Sequence, residues 1–405
     1  MPNRSTSPKP RPAMSENAMR AAVCREGEFG VREIARPEPG PRQVLLRVLR
    51  AGICGSDLHA RVHCDETADL ISEAGYDDFM RTDQDVVLGH EFVGEVVSYG
   101  PDCRKRWKPG TRVVSLPIRR TDGEVQLTGL SALAPGAFAE FVLADESVTM
   151  PVPEQLPTDL AALTEPLAVG LHAVERSDIG RGEVAVVVGC GPIGLAVILM
   201  LKARGVRTVV ASDYSPARRA LAKTCGAQIV VDPAHDDLVE AIPARGNHFH
   251  TGPALLGFAL DSMRQLQSIP GLPWWKLMGV GERLGQVPKG PVVFECVGVP
   301  GMIDRLATTM PYRSRIVVAG VCMEPDTIRP ALVSNKEIDL RFVFGYDPDE
   351  FRETLHLLAD RKIDARPLLT GTVGLDGVAA AFEALGDPET HAKILVDPAS
   401  DALTP

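Results

Sequence analysis

A cysteine in a glycine-flanked turn, Cys54 of Gly52-Ile53-Cys54-Gly55-Ser56-Asp57-Leu58-His59, is followed downstream by Gly89-His90-Glu91 and then by Glu165. A thiolate, an imidazole and a carboxylate are donor types that hold Zn²⁺ in catalytic sites, where three protein ligands leave a place for water or substrate. Cys54, His90 and Glu165 are the candidate ligands. Glu91 either binds directly in some states or acts from behind the ligands. Asp57 carries a group suited to orienting the histidine through its second ring nitrogen. Singly, each of these residues reads as an ordinary buried side chain; their order and combination are the signal. His63 and Cys64 lie close to the same loop and could be confused with ligands. His248 and His250 have a metal-like spacing without obvious partners and read as surface residues.

A second chemistry resides in Gly189-Cys190-Gly191-Pro192-Ile193-Gly194. The pattern follows an apolar strand and opens a helix, the context a dinucleotide-binding turn requires. Gly189 permits the tight turn, Gly191 lets the backbone approach a pyrophosphate, and Gly194 permits close helix–strand packing. The helix start adds unpaired N–H groups and a favourable dipole for phosphate. Asp213 ends the next strand, at the distance expected for the acid that receives the adenosine ribose hydroxyls. Its charge would repel the extra phosphate of NADP, so NAD is the expected cofactor. Arg218 either flanks the adenine, stays solvated, or accepts such a phosphate. A polarising metal beside a hydride carrier is the apparatus for interconverting an alcohol and a carbonyl.

The elements that must position these residues change character along the chain. Up to about residue 150 the sequence is strand-rich, with candidate strands at 44–48, 92–97, 112–116 and 139–142 bounded by Gly, Pro or Asp. A helix is expected over 164–174, with Pro166 tolerable in its first turn. Strands at 184–188, 208–213 and 228–231 then alternate with helices at 193–204 and 216–225, and strands at 292–296 and 315–320 continue the rhythm. That alternation predicts a parallel, doubly wound α/β sheet. Residues 246–289 exceed what a crossover needs and read as an insertion, with an apolar helical patch around 255–266 and then Trp274-Trp275. Residues 1–18, rich in Pro, Ser, Arg and Lys, read as a disordered leader.

Composition narrows the class. The 405 residues suffice for two domains, and a net charge of -10 argues against a general affinity for nucleic acid or anionic membranes. Eight scattered cysteines form no disulfide framework, and neither a secretory signal nor a long apolar run is evident. A cytoplasmic protein is expected.

Together these residues resemble the zinc-dependent medium-chain alcohol dehydrogenases, from about Met19 to Pro398. The resemblance rests on the Cys54 run, on Gly89-His90-Glu91, on Glu165-Pro166-Leu167-Ala168-Val169-Gly170-Leu171-His172-Ala173, on the glycine turn, and on Lys393-Ile394-Leu395-Val396. The Glu-Pro-Leu form points to the branch containing sorbitol, butanediol and threonine dehydrogenases. The family implies a β-rich GroES-like catalytic domain (19–177 and 325–405) around a Rossmann domain (178–324, with the 246–289 insertion), and a homo-oligomer, dimer or tetramer. It implies that Cys54 and His90 bind zinc, with Glu165 a third ligand or acting through water, and Glu91 sometimes coordinating. Ser56 then contacts the substrate oxygen, and His59 relays its proton. Ile193, Asp213 and Arg218 border the adenosine, while Val297, Ala319 and Val321 border the nicotinamide. The region 100–136 contains only Cys103 where many relatives hold a four-cysteine structural zinc, so one catalytic ion is expected. The expected reaction is hydride transfer between a secondary alcohol or polyol and NAD. The alternatives are a zinc-free quinone or enoyl reductase and a noncatalytic nucleotide-binding protein on the same fold.

Overall fold

Five consecutive apolar residues, Val184–Val188, form a strand buried along its whole length. Such a strand needs cover on both faces, which helices provide in a parallel sheet. The computed structural model describes residues 17–243, 248–271, 273, 275–276 and 288–405. In it Val184–Val188 is central to a six-stranded, all-parallel sheet. Thr208–Ser212 and then Ile229–Val231 lie on one side; Val292–Glu295, Arg315–Val318 and Asp339–Phe342 lie on the other. The chain reverses its direction of travel beside Val184–Val188. That is where open α/β sheets leave a crevice at the carboxyl ends of their strands. The helix Pro192–Ala203 packs one face, and the helix Pro216–Cys225 starts from a Ser215 cap whose hydroxyl accepts the Arg218 N–H.

The remainder is a β-rich module. Gln43–Gly52 and Glu91–Tyr99 pair antiparallel at the heart of a seven-stranded sheet. Arg112–Ser115, Phe141–Asp145, Thr149–Pro151, Leu369–Val373 and Lys393–Val396 complete it. The last of these, from near the chain's end, pairs with Gln43–Gly52 from near its start. GroES-like and Rossmann-type architectures are thus both present, as expected.

Some local readings shift. The strand expected at 139–142 starts later, at Phe141–Asp145, because Ala139 is used in a lone bridge to Ala21. The interval between Cys54 and His90 holds two helices, Gly55–Val62 and Cys64–Glu73. The hairpin Ile118–Thr121 with Glu124–Leu127 occupies part of the 100–136 region. In the insertion, the helix Gly252–Gln267 has no fully buried residue. Leu256 and Leu260 on it are exposed, as is Trp275; Trp274 lies outside the described residues. No helix among the described residues is long and apolar enough to cross a membrane.

Candidate active site

Cys54 is the N-cap of the helix Gly55–Val62, in extended conformation just beyond the strand Gln43–Gly52. His90 immediately precedes the neighbouring strand Glu91–Tyr99. The pairing sets Gly52 opposite Glu91, and a Cβ at Gly52 would lie 2.0 Å from Glu91 Oε2. The missing side chain is therefore the space the carboxylate fills. Ligand atoms of Cys54, His90 and Glu91 fall within 4.8 Å of one another.

Asp57, fully buried, ties the two predicted ligands together. Its Oδ2 accepts the Cys54 backbone N–H at 2.9 Å, and its Oδ1 lies 3.1 Å from His90 Nδ1. Nε2 of the ring is left for other partners, and the Ser56 hydroxyl sits 3.2 Å from it. Burial opposes a charge on His90, but the Asp57 carboxylate and the Cys54 sulfur outweigh it and hold the pKa well above the ordinary value. The expected orienting role of Asp57 has the geometry it needs.

Glu165 stands in the first turn of the helix Thr164–Arg176, outside the tight cluster but within reach of its charges. Burial, with the charge of Glu91 adding to it and His90 opposing, pushes its carboxyl pKa up to about 7. Glu91 has both oxygens held by Lys393 Nζ, each at 2.7 Å, and the same ammonium donates to Ile53 O at 2.9 Å. His63 is exposed, while Cys64 donates to Met80 O at 3.2 Å, so neither joins the cluster. His248 is half-buried rather than on the surface, its Nδ1 2.8 Å from Lys289 O.

Two functional neighbours escaped the sequence reading. Tyr346 follows the last parallel strand, and its phenol is pushed well above its usual pKa by burial and by the Glu165 charge. Its ring stacks on Phe351 with centroids 5.5 Å apart, and nearby His172 Nδ1 lies 2.8 Å from Glu350 Oε2, joining the Glu165 helix to the helix Pro348–Ala359. The strand-end position was the available signal. Lys393 belonged to a quoted motif, but nothing in the sequence paired it with a residue some 300 positions away.

The chemistry of this donor set fits a zinc ion. A soft sulfur donor, half-buried, stands beside a buried imidazole and buried carboxylate oxygens. The reluctance of Glu165 to ionise comes first from its burial, which a bound cation would offset.

The glycine turn lies at the carboxyl end of Val184–Val188. Gly189 has φ +89°, and a Cβ on Gly194 would lie 1.9 Å from Gly189 O. The turn therefore closes on itself only because both side chains are missing. Gly191 is open apart from the Arg218 guanidinium, and Pro192 and Ile193 begin the helix. Asp213 Oδ2 accepts the Cys190 N–H at 2.7 Å, and Oδ1 accepts the Ser215 N–H at 2.8 Å. Val297, Ala319 and Val321 converge at the ends of adjacent strands, Val297 and Val321 exposed. Buried Glu295, another residue the sequence did not single out, organises them. Its carboxylate accepts the Val297 and Gly298 N–H groups, and its carbonyl those of Ala319 and Gly320.

Comparison with known proteins agrees with this arrangement. Residues 40–154 match the alcohol dehydrogenase GroES-like domain and 192–253 the zinc-binding dehydrogenase family. An (R,R)-butanediol dehydrogenase of Bacillus subtilis is 31% identical over 92% of this chain and 97% of its own length. A sorbitol dehydrogenase of Gallus gallus is 28% identical over 89% and 91%. A zinc-binding dehydrogenase of Sinorhizobium meliloti, solved bound to NADP, superposes with a TM-score of 0.72 at 27% identity, covering 95% of this chain and 100% of that one. From its sulfur–imidazole–carboxylate cluster to relatives aligned along nearly its whole length, the chain belongs to the zinc-dependent medium-chain alcohol dehydrogenase family, oxidoreductases of alcohols.

Proposed function

We propose that Cys54, His90 and Glu165 hold a single Zn²⁺, with Glu91 behind them, and that the enzyme oxidises a secondary alcohol or polyol with NAD. The observation that carries this is the convergence of half-buried Cys54 with buried His90 and Glu91, with Asp57 bridging the first two. Glu91 is kept in reserve because Lys393 occupies both its oxygens. Cys103 donates to Gln43 O, in keeping with one ion rather than two.

A Zn²⁺ held by these residues would supply Lewis acidity toward an alcohol or carbonyl oxygen, and a nicotinamide cofactor at the glycine turn would supply the hydride acceptor. Ser56, beside His90, takes the hydroxyl proton. Burial, with neighbouring His63, lowers the pKa of His59 below its ordinary value. Its ring is therefore neutral near pH 7 and free to carry that proton toward solvent. Asp57 fixes the His90 ring. Asp213 presents a charge to the adenosine ribose that a 2′-phosphate would meet unfavourably, which supports NAD; Ile193 and Arg218 flank it. Val297, Ala319 and Val321 border the nicotinamide.

Residues 19–177 are assigned to the catalytic domain and 178–342 to the cofactor domain, with 246–289 inserted in it. The expected boundary at 324/325 falls short because Asp339–Phe342 is the outermost strand of the parallel sheet, and the chain rejoins the catalytic sheet through Leu369–Val373 and Lys393–Val396. All eight cysteines are free, which suits a cytoplasmic enzyme; a dimer or tetramer follows the family. The test is a screen of NAD reduction over polyols, secondary alcohols and aromatic alcohols, with metal content measured on the same sample. Activity that survives in metal-free, chelator-treated protein refutes the proposal. So does near-normal turnover by Cys54→Ser or His90→Ala.

A further inference from the structure

The hairpin Ile118–Thr121/Glu124–Leu127 carries a buried charge with no counter-charge. Arg119 is 5% exposed, and its sole hydrogen bond among the described residues runs from an Nη to Leu133 O at 3.2 Å. Its Nε is buried, and among the described residues neither a partner for it nor a carboxylate paired with the guanidinium is found. Burial lowers its pKa to about 10, so it stays charged at neutral pH. An unpaired buried charge is costly, and proteins rarely leave one without an opposite ion.

The groups around it are short of acceptors too. Arg119 pairs with Gln126 in the hairpin and Thr121 with Glu124, so these four residues share one face. Thr128 keeps that parity and extends the ladder through its N–H to Pro117 O. The hydroxyls of Thr121 and Thr128 are both buried without a partner. Gln126 is already satisfied by Tyr76, Asp78 and Ser131. Thr121 lies toward the turn, paired with exposed Glu124 and about 13 Å along the strand from the position level with Thr128. On the inner part of the face it is therefore the Arg119 guanidinium and the Thr128 hydroxyl that have hydrogens to donate without an acceptor among the described residues. The face also abuts the catalytic wall. A Cβ at Gly129, next to Thr128, would lie 2.9 Å from Gly89 O, and Gly89 directly precedes His90.

We propose that this face of the hairpin binds a small oxyanion, a carboxylate or phosphate group, with Arg119 as its counter-charge and the Thr128 hydroxyl as a further donor. The binding site does not depend on the dehydrogenase assignment. The anion is either a group of the substrate or a free ion.

Thermal unfolding of the full chain, titrated with inorganic phosphate and separately with acetate at constant ionic strength in chloride, tests it. The wild type is expected to show a saturable rise in midpoint with at least one of the two. Arg119→Met is expected to show none, and in chloride alone to unfold no earlier than the wild type, because it removes an uncompensated charge. Thr128→Val weakens the anion about tenfold, the loss of one charge-assisted hydrogen bond, and decides the matter should Arg119→Met fail to fold. No saturable rise in the wild type, or an equal rise in either variant, overturns the site. Phosphate that competes with alcohol in turnover identifies a substrate group; phosphate that raises the midpoint without competing identifies a free ion.

Discussion

Lys393→Met removes the ammonium that holds Glu91 while keeping most of the side-chain volume. The two charges are 2.7 Å apart and 1% and 0% exposed. At an effective dielectric of about 20 their attraction is about 6 kcal/mol, much of it offset by desolvation of both groups. Removing one partner leaves Glu91 buried with no compensation, a loss of about 3–5 kcal/mol. With a urea m-value of about 3 kcal/mol/M, the unfolding midpoint should fall by about 1–1.7 M. Adding Glu91→Gln should restore at least half of the loss, since the stranded charge is then gone. The Lys393 pKa is raised: burial opposes its charge, but Glu91 and Cys54 outweigh it. The pair's contribution is therefore fully present below the unfolded lysine value of 10.5, and fades only as pH climbs through the higher folded value. The wild-type advantage over Lys393→Met should stay flat between about pH 7 and 9. A single variant within about 1 kcal/mol of wild type, or a double variant no better than the single, refutes this account.

Asp57→Asn should weaken zinc about 10–100-fold in a competitive chelator titration, because the carboxylate fixes both Cys54 and His90. Gly194→Ala should abolish NADH binding in a fluorescence titration, because its Cβ would collide with Gly189 O. Asp213→Gly should weaken NAD and relax discrimination against NADP; an unchanged preference removes Asp213 from that role. Burial pushes the thiols of Cys24, Cys190 and Cys225 up to about 11, 12 and 12, so none should react with a thiol reagent at pH 8 until the protein unfolds.

The elements best read from the sequence are those with a strong local signal. Val184–Val188 and Pro216–Cys225 follow the expected bounds because apolar runs and a Ser-Pro helix start are local signals. The helices Gly55–Val62 and Cys64–Glu73 were missed because neither carries a wide apolar stripe; three of the residues they bury are Asp57, Thr67 and Cys64. Cys54, Asp57 and His90 were legible as residue types with a known chemistry. The grip of Lys393 on Glu91, the place of Tyr346 beside Glu165, and the organising role of Glu295 were not. Each depends on strands brought together from distant parts of the chain, and no local pattern encodes that.

Lys393–Val396 pairs with Gln43–Gly52, the strand that leads into the Cys54 turn, and the Lys393 ammonium also donates to Ile53 O beside that turn. The donor turn is thus fastened twice by one strand, through the ladder and through a side chain that also holds Glu91. Fraying of this strand would release Glu91 and slacken the Cys54 turn together, so metal affinity and local opening of that sheet edge are coupled.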